Sequence, residues 1–292
     1  MQPEIQGWTD PRFNEVRRTF EHSVSNYDAG AAFSVYVDGD CVVDLWGGHA
    51  DTAQNRLWEK DTAVFMMSGS KGVLAAALAR AATIGLIDYR TPVAHYWPEF
   101  AAEGKAEITV SQCVTYIGGL PGFVEPVSQL DLMDSPRIAD MLARQAPARP
   151  GTLLYGPYAL GFVVDELFRR TAGVDASEFF HREIALPHDI RIAWGEQYER
   201  HGWGTLATIE YESAFEHQYD DYVNSTDPLT KMIWANPAPF PLGDRVWNTP
   251  ERRARPLAAA NCAAPAREIA KLYDVLSRDL RGLNGSAGLI DY

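Results

Sequence analysis

The sequence has few cysteines, and none of them is paired at short spacing. Cys41, Cys113 and Cys262 are the only three in 292 residues. An odd number of widely separated thiols excludes a disulfide framework, and without a C-x-x-C pair the thiols do not indicate a zinc site. The seven histidines are also scattered without the spacing of metal ligands. We therefore expect reduced, structural thiols and a protein that needs neither a metal nor a cofactor.

Long apolar runs and an excess of basic charge are also missing. No stretch approaches the ~18 consecutive apolar residues of a membrane-spanning helix, and the N-terminus has neither a basic nor an apolar signal region. The formal net charge is -13, and no segment supplies the basic footprint that nucleic acid or an anionic membrane requires. The sequence predicts a soluble, cytoplasmic protein that binds small molecules and has no nucleic-acid or membrane partner.

The composition predicts a folded globular chain. Apolar residues make up 46% and aromatic residues 11% of the sequence, which is enough for a substantial core. The length fits one large domain or two closely packed ones, and there is no internal repeat. We expect an α/β region formed by residues 1–67 and 263–292, and a mostly helical region formed by residues 68–262.

Local patterns predict a helix and a hairpin at the N-terminus. Residues 11–26 carry an apolar stripe at helical spacing. In residues 31–48 apolar and polar side chains alternate on either side of a turn at Asp38-Gly39-Asp40. Phe33, Val35 and Val37 alternate in the first strand of this hairpin. We expect these three side chains to form its buried face.

The middle of the chain predicts helices and the C-terminal part predicts one more. Helix signals are a capping box at Thr109 and Gln112, Ser135-Pro136, Pro157 before a helix that ends near Gly173, and Asp175 with Glu178. Residues 190–194 fit a short strand or an extended loop. Residues 195–256 have no clear hydrophobic period and predict a long irregular segment. Four tryptophans in or next to this segment either line a pocket or pack in the core: Trp194, Trp203, Trp234 and Trp247. Residues 263–280 predict the last helix.

Ser68 and Lys71 are the strongest candidates for chemistry. Their spacing places a hydroxyl and an amine on one face of the helix that the apolar stripe of residues 72–84 predicts. A lysine whose pKa is lowered by burial can activate a serine, and the N-terminus of a helix can stabilise an oxyanion. The alternative from spacing alone is a capping serine with a lysine that reaches to solvent.

The order of further motifs resembles the serine beta-lactamase-like hydrolases, among them the class C-like or family VIII carboxylesterases and the penicillin-binding carboxypeptidases. The resemblance covers residues 10–290. Its motifs are Ser68-Gly-Ser-Lys71, Leu86-Ile-Asp-Tyr-Arg-Thr-Pro-Val93 with Tyr96-Trp-Pro-Glu-Phe100, Ile108-Thr-Val-Ser-Gln112 with Gly119-Leu-Pro-Gly122, Pro150-Gly-Thr-Leu-Leu-Tyr155, Leu160-Gly161 and the last helix. It implies an α+β fold in which helices flank an antiparallel sheet beside a mostly helical region.

The resemblance also implies a catalytic group. Ser68 would be acylated, Lys71 would help to remove its proton, and Tyr155 would be the third member. A phenol beside an ammonium can share one proton with it, so Lys71 and Tyr155 would titrate as a coupled pair. Taken without the resemblance, Tyr155 reads as a half-buried core tyrosine.

Two short departures from the family pattern lie near the expected site. Tyr155 is followed by Gly156 and Pro157, where relatives often have Asn or Ser two residues after the tyrosine. Relatives usually read His-Thr-Ser-Gly-Leu-Pro where this chain has Tyr116-Ile-Gly-Gly-Leu-Pro121. We expect the first change to remove a polar contact to substrate and the second to alter local packing.

A third departure concerns the C-terminal part of the family fold. In relatives, further antiparallel strands with a Lys-Thr-Gly or His-x-Gly-like motif follow the last helix and supply a second oxyanion donor; this sequence has no such triplet after Tyr155. Loss of one donor typically costs about 10²- to 10³-fold in turnover. We expect an incomplete sheet whose exposed edge favours self-association into a homo-oligomer or poor solubility.

The sequence thus favours a serine hydrolase that cleaves small carboxylic esters through an acyl-serine. One alternative is a catalytically impaired relative that acts as a binding or scaffold protein. Another is a class C-like beta-lactamase or D-Ala carboxypeptidase. Ester cleavage is favoured over action on the cell wall because the N-terminus shows no export signal.

Overall fold

The computed structural model describes residues 4–210, 220–239, 246–283 and 289–290. It has an α+β fold with antiparallel sheets and many helices, as the sequence predicted. The chain divides into two compact units: Met1–Phe65, Ile184–Glu210 and Ala263–Tyr292 form the first, and Met66–Glu183 and Tyr211–Cys262 form the second. The sequence-based boundaries differ at two places: Met66 and Met67 group with the second unit, and Ile184–Glu210, expected in the helical region, groups with the first.

Seven strands and twelve helices are described below by number in chain order, counted over the described ranges. The strands are β1 (Ile5–Thr9), β2 (Gly30–Val37), β3 (Asp40–Asp51), β4 (Arg56–Leu57), β5 (Val64–Phe65), β6 (Ala193–Trp194) and β7 (Cys262–Ala264). The helices are α1 (Asn14–Asn26), α2 (Ser70–Thr83), α3 (Val93–Tyr96), α4 (Val110–Val114), α5 (Ser135–Arg144), α6 (Ala159–Ala172), α7 (Ala176–Phe180), α8 (Gln197–Arg200), α9 (Asp220–Val223), α10 (Pro228–Trp234), α11 (Pro250–Ala254) and α12 (Ala266–Leu280).

The main sheet of the first unit is larger than the predicted hairpin. β2 and β3 form that hairpin, and Gly39 in its turn has φ +95°, which glycine adopts without strain. β1, which the sequence did not predict, pairs antiparallel with the other side of β3, and the short β4 also pairs with β3. The described sheet therefore has four strands in place of two, with β3 at its centre.

The predicted buried face of β2 is wrong at two of its three positions. Val35 packs against the core, whereas Phe33 is 43% and Val37 is 41% exposed. β2 has a partner on one side only within the described part of the sheet, and a register shift at Val35/Tyr36 disturbs the alternation of its side chains. The expected self-association through this sheet edge stays a prediction.

Residues 262–266 contain a strand that the sequence assigned to the last helix. β7 pairs antiparallel with β5 and lies between β5 and β6 in a three-stranded sheet. α12 begins only after Pro265, which caps the helix with an extended backbone. Small apolar residues such as Cys262 and Ala263 fit a helix or a buried strand equally well, so only the long-range pairing with β5 separates the two structures.

α1 and α12 pack against the main sheet within the first unit. Phe20 and Val24 of α1 join Val43 and Leu45 of β3 in one buried cluster. Leu272 is the buried apolar side chain of α12. This core is continuous with the centre of the sheet, where β3 is almost wholly buried.

Helices α4, α5, α6 and α7 of the second unit begin or end near the predicted signals, whereas α9, α10 and α11 lie in the segment that the sequence predicted to be irregular. Thr109 and Gln112 form the predicted capping box of α4, and Asp175 caps α7. α6 ends at Gly173, whose φ of +73° terminates the helix in a left-handed turn. Among the described residues no helix is long and apolar enough to cross a bilayer. Part of the predicted irregular segment, residues 211–219 and 240–245, lies outside the described residues.

The buried cluster under β3 predicts a specific loss of stability. Leu45 is fully buried, so Leu45→Ala should lower the free energy of unfolding by about 2–5 kcal/mol through lost transfer energy and a residual cavity. Phe33 lies directly opposite Leu45 in the sheet but is exposed, so Phe33→Ala is the matched control and should cost less. Urea unfolding followed by circular dichroism measures both; equal losses would contradict the assignment of this core.

Candidate active site

Ser68 lies in a short 3-10 helix, Met67–Gly69, that leads directly into α2. Met67 has φ +46°, a left-handed conformation that is strained for a side chain of this size. Neither the 3-10 helix nor α2 has a side-chain hydrogen bond that caps its N-terminus, so the hydroxyl of Ser68 does not act as a helix cap. The exposed Ser68 therefore stands on a sharp turn at the N-terminus of a fourteen-residue helix.

The hydroxyl of Ser68 contacts both of its expected partners. Lys71 Nζ lies 3.0 Å from Ser68 Oγ, and Tyr155 OH lies 2.6 Å from the same oxygen. The first contact is local, one turn along α2, and the second joins residues 87 positions apart. The structure thus brings together the three residues that the sequence singled out.

Two backbone carbonyls hold the amine of Lys71. Its Nζ donates to Pro157 O at 2.9 Å and to Ala259 O at 3.2 Å, in addition to the contact with Ser68. Burial lowers the pKa of Lys71 from 10.5 to about 8, because the charged form loses its hydration. The amine is therefore turned inward and does not reach to solvent as the alternative from spacing required.

These contacts orient the neutral form of the amine. A neutral lysine has two N–H bonds and one lone pair. With both N–H bonds donated to Pro157 O and Ala259 O, the lone pair is left to face Ser68 Oγ. The carbonyls accept from either protonation state, so the same two contacts hold Nζ in place before and after it takes a proton.

Tyr155 is partly exposed and lies among other aromatic rings. Its side chain is 38% exposed, and its ring lies 5.4 Å from Lys71 Nζ. The ring centroids of Tyr116 and Trp234 are 5.1 Å and 6.1 Å away. Tyr155 is therefore not a core tyrosine, since its hydroxyl is directed at Ser68 and part of its side chain is accessible.

The glycine after Tyr155 is required by space. A Cβ at Gly156 would lie 1.7 Å from Pro121 O, well inside any possible contact. A Cβ at Gly161 would lie 2.7 Å from the backbone nitrogen of Ala259, the residue whose carbonyl holds Lys71. Gly156 thus allows a close approach of two backbones next to Tyr155.

The loop that carries Ala259 is fixed by two polar side chains that the sequence did not suggest. Asn261 is fully buried: its amide accepts from Leu257 N and donates to Arg252 O and Arg255 O. The hydroxyl of Ser70 accepts from Cys262 N at 3.0 Å. Successive residues of α2, Ser70 and Lys71, therefore both bind this loop. Only the position of Ser70 inside the S-x-x-K motif could have drawn attention to it.

The tryptophans named in the sequence divide between packing and the site. Trp194 and Trp247 are buried and belong to the core. Trp203 stacks on His201. Trp234 packs against the ring of Tyr155, a candidate site residue.

The arrangement is suited to acyl transfer. A hydroxyl that lies between an amine and a phenol can lose its proton as it attacks a carbonyl carbon, and both neighbours can return a proton to a leaving group. The backbone N–H groups at the start of α2 and the positive end of its dipole favour negative charge beside Ser68.

Comparison with known proteins gives the family. The chain belongs to the Beta-lactamase family, whose model matches residues 16–289. It is 39% identical over 187 residues to the Esterase/beta-lactamase LipL of Mycobacterium tuberculosis, an alignment that covers 63% of this chain and 43% of that protein. The chain thus matches less than half the length of this relative.

Solved structures extend the likeness over almost the whole chain. A family VIII carboxylesterase is 32% identical with a TM-score of 0.84, covering 99% of this chain and 75% of the other. A penicillin-binding protein homologue from Caulobacter crescentus is 28% identical with a TM-score of 0.83, covering 98% and 74%. The family and its beta-lactamase/transpeptidase-like fold are therefore as the sequence predicted.

The contact at Gly156 predicts a sharp effect of a small side chain. Gly156→Ala should displace Tyr155 from Ser68, because the new Cβ cannot fit against Pro121 O. Reaction of Ser68 with a fluorophosphonate probe should then slow by about 10²-fold, the usual effect of a displacement near 1 Å. Gly85→Ala is the control: its φ of +75° strains a side chain, but nothing lies near its Cβ, so it reports the effect of backbone strain without a steric clash. Equal labelling of the Gly156→Ala variant and the unchanged protein would contradict the prediction.

Proposed function

We propose that the protein is a serine hydrolase that cleaves small carboxylic esters through an acyl-serine intermediate. The observation that carries the proposal is the position of Ser68 Oγ, 3.0 Å from an amine whose pKa is lowered and 2.6 Å from the hydroxyl of Tyr155. Ser68 is the nucleophile in this proposal. Lys71 and Tyr155 together accept and return its proton.

Acylation follows from this geometry. Ser68 Oγ forms a bond to the ester carbonyl carbon while its proton passes to the Lys71 and Tyr155 pair, and the carbonyl oxygen becomes an oxyanion. The N–H of Ser68, at the start of α2, stabilises that oxyanion. Collapse of the intermediate breaks the bond to the alcohol oxygen, which takes the proton back from the pair. The acid part of the substrate is then bound to Ser68 as an ester.

Deacylation uses the same groups in reverse order. A water molecule attacks the acyl carbon and gives a proton to the Lys71 and Tyr155 pair, and Ser68 Oγ recovers that proton as the acid leaves. Lys71 and Tyr155 both lie at hydrogen-bond distance from Ser68 Oγ, so either of them can carry the proton between the two steps. An alcohol in place of water would give transacylation by the same route.

The lowered pKa of Lys71 decides how much of the active form exists. At pH 7 an amine with a pKa of 8 is neutral about 300 times more often than one with the ordinary value of 10.5. Tyr155 adds a second acceptor at hydrogen-bond distance from Ser68. The site therefore supports a serine nucleophile near neutral pH without any further group.

The relatives support esters as the first substrates to test. One is described as a family VIII carboxylesterase and another as an esterase and beta-lactamase. The second description also favours beta-lactams as an alternative substrate, because a beta-lactam amide would acylate Ser68 by the same steps. Parallel assays with p-nitrophenyl butyrate and nitrocefin distinguish the two substrate classes: only the first is expected to be hydrolysed at an appreciable rate.

Removal of the nucleophile should abolish the reaction. Ser68→Ala should lose turnover of p-nitrophenyl acetate and butyrate and lose the covalent fluorophosphonate adduct, because no other group can form the acyl ester. Peptide mapping by mass spectrometry should place the adduct of the unchanged protein on Ser68 and not on Ser70, whose hydroxyl is buried against Cys262 N. An adduct on another residue, or turnover that survives Ser68→Ala, would contradict the proposal.

The pKa of Lys71 predicts the pH dependence of acylation. The neutral amine is the active form, and its fraction rises as the pH rises through about 8. The value of kcat/KM should therefore increase about tenfold per pH unit below pH 8 and level off above it. The side chain in Lys71→Arg stays protonated, so this variant should lower kcat/KM by about 10²- to 10⁴-fold and abolish the rise of kcat/KM with pH below pH 8. If kcat/KM of Lys71→Arg still rises with pH in this range, the titrating group is not Lys71.

A further inference from the structure

Tyr116 is an aromatic residue in a backbone conformation that aromatic residues rarely adopt. Its φ is +63°, in the left-handed region that favours glycine. A tyrosine held in this region is strained, and the surrounding contacts must maintain it. Tyr116 lies in the segment where the sequence departs from the usual family pattern.

The backbone of Tyr116 binds the segment that leads to Tyr155. Its carbonyl accepts from Leu154 N at 3.0 Å, directly before Tyr155. The next residue, Ile117, accepts from Gly151 N at 2.8 Å. Two hydrogen bonds therefore fix the approach to Tyr155 relative to Tyr116.

The ring of Tyr116 completes this arrangement on one face of Tyr155. The two ring centroids are 5.1 Å apart at an angle of 46°, and Trp234 contacts the Tyr155 ring at 6.1 Å. Tyr155 thus has an aromatic neighbour in Tyr116 and a second in Trp234. These two rings restrict the positions that the Tyr155 ring can adopt.

The hydroxyl of Tyr116 takes no part in these contacts. It is buried and has no hydrogen-bond partner within the described residues. Burial, with a smaller contribution from Tyr155, raises the pKa of Tyr116, so the phenol stays neutral. A buried polar group without a partner does not stabilise the fold, so the contribution of this side chain lies in its ring.

We propose that Tyr116 is a positioning residue, whose ring and strained backbone hold the hydroxyl of Tyr155 at hydrogen-bond distance from Ser68. This inference rests on the proposed function, in which Tyr155 shares the proton of Ser68. Tyr116 acts through Tyr155 and does not itself exchange a proton.

Three variants of Tyr116 test the inference. Tyr116→Phe keeps the ring and should label with the fluorophosphonate probe within about threefold of the unchanged protein. Tyr116→Ala removes the ring and should lower both the labelling rate of Ser68 and kcat by about 10- to 100-fold, with little change in KM, because misplacement of a reacting group acts on the chemical step. Tyr116→Leu keeps an apolar side chain without the aromatic ring. It replaces Tyr116→Ala if the alanine variant does not fold, and the same loss of about 10- to 100-fold is then expected.

A matched control separates positioning from general stability. Tyr89 is a half-buried tyrosine of the second unit for which the structure records no ring contact with the site. Tyr89→Ala should lower the thermal midpoint and leave the labelling rate close to that of the unchanged protein. Equal labelling rates in Tyr116→Ala and Tyr116→Phe would overturn the positioning role, as would a loss in Tyr116→Ala matched by Tyr89→Ala.

A spectroscopic measurement keeps the inference testable if Ser68 does not react at all. Absence of labelling in the unchanged protein would contradict the proposed function but not the position of Tyr155. Proteins with ¹³C-labelled tyrosine rings, with the Tyr155 signal assigned through Tyr155→Phe, report that position directly. The Tyr155 signal should shift and broaden in Tyr116→Ala and keep its place in Tyr116→Phe; an unchanged signal in both variants would overturn the inference.

Discussion

The rest of the site depends on the two carbonyl oxygens that hold the amine of Lys71. Pro157 lies 86 residues and Ala259 lies 188 residues further along the chain, so three distant segments must meet at one nitrogen atom. The meeting buries Nζ, and burial is what lowers the pKa of Lys71. In the proposed mechanism, Lys71 can act as a base for Ser68 only because these segments close around it.

That closure explains why small residues surround the site. At Gly156 and Gly161 a methyl group would meet the backbone of Pro121 and of Ala259. Each glycine lets two main chains approach closely, and each approach fixes a group that contacts Ser68 or Lys71. The geometry at these two positions is set by the absence of a side chain. A Gly-Pro pair after Tyr155 is therefore compatible with a well-formed site.

The sequence could predict those parts of the molecule that depend on local patterns. Caps at Thr109 and Asp175, the left-handed stop at Gly173 and the spacing of Ser68 and Lys71 all follow from a few neighbouring residues. The place of Tyr155 in the site could be predicted only from the resemblance to the family, since nothing in the neighbouring sequence distinguishes it from a core tyrosine. The carbonyls of Pro157 and Ala259, the pairing of β1 and the role of Asn261 could not be predicted, because backbone contacts between distant segments leave no pattern in the sequence.

The lowered pKa also has a consequence for stability that runs against function. In the unfolded chain Lys71 binds its proton up to about pH 10.5, whereas in the folded protein it releases the proton near pH 8. Between these values the unfolded state binds more protons, so the contribution of Lys71 to stability rises with pH through this window. Below pH 8 both states are protonated, and the folded protein keeps a desolvated charge. At neutral pH the amine of Lys71, the proposed base for Ser68, therefore destabilises the fold, and the buried amide of Asn261 and the hydroxyl of Ser70 hold the loop around it in place.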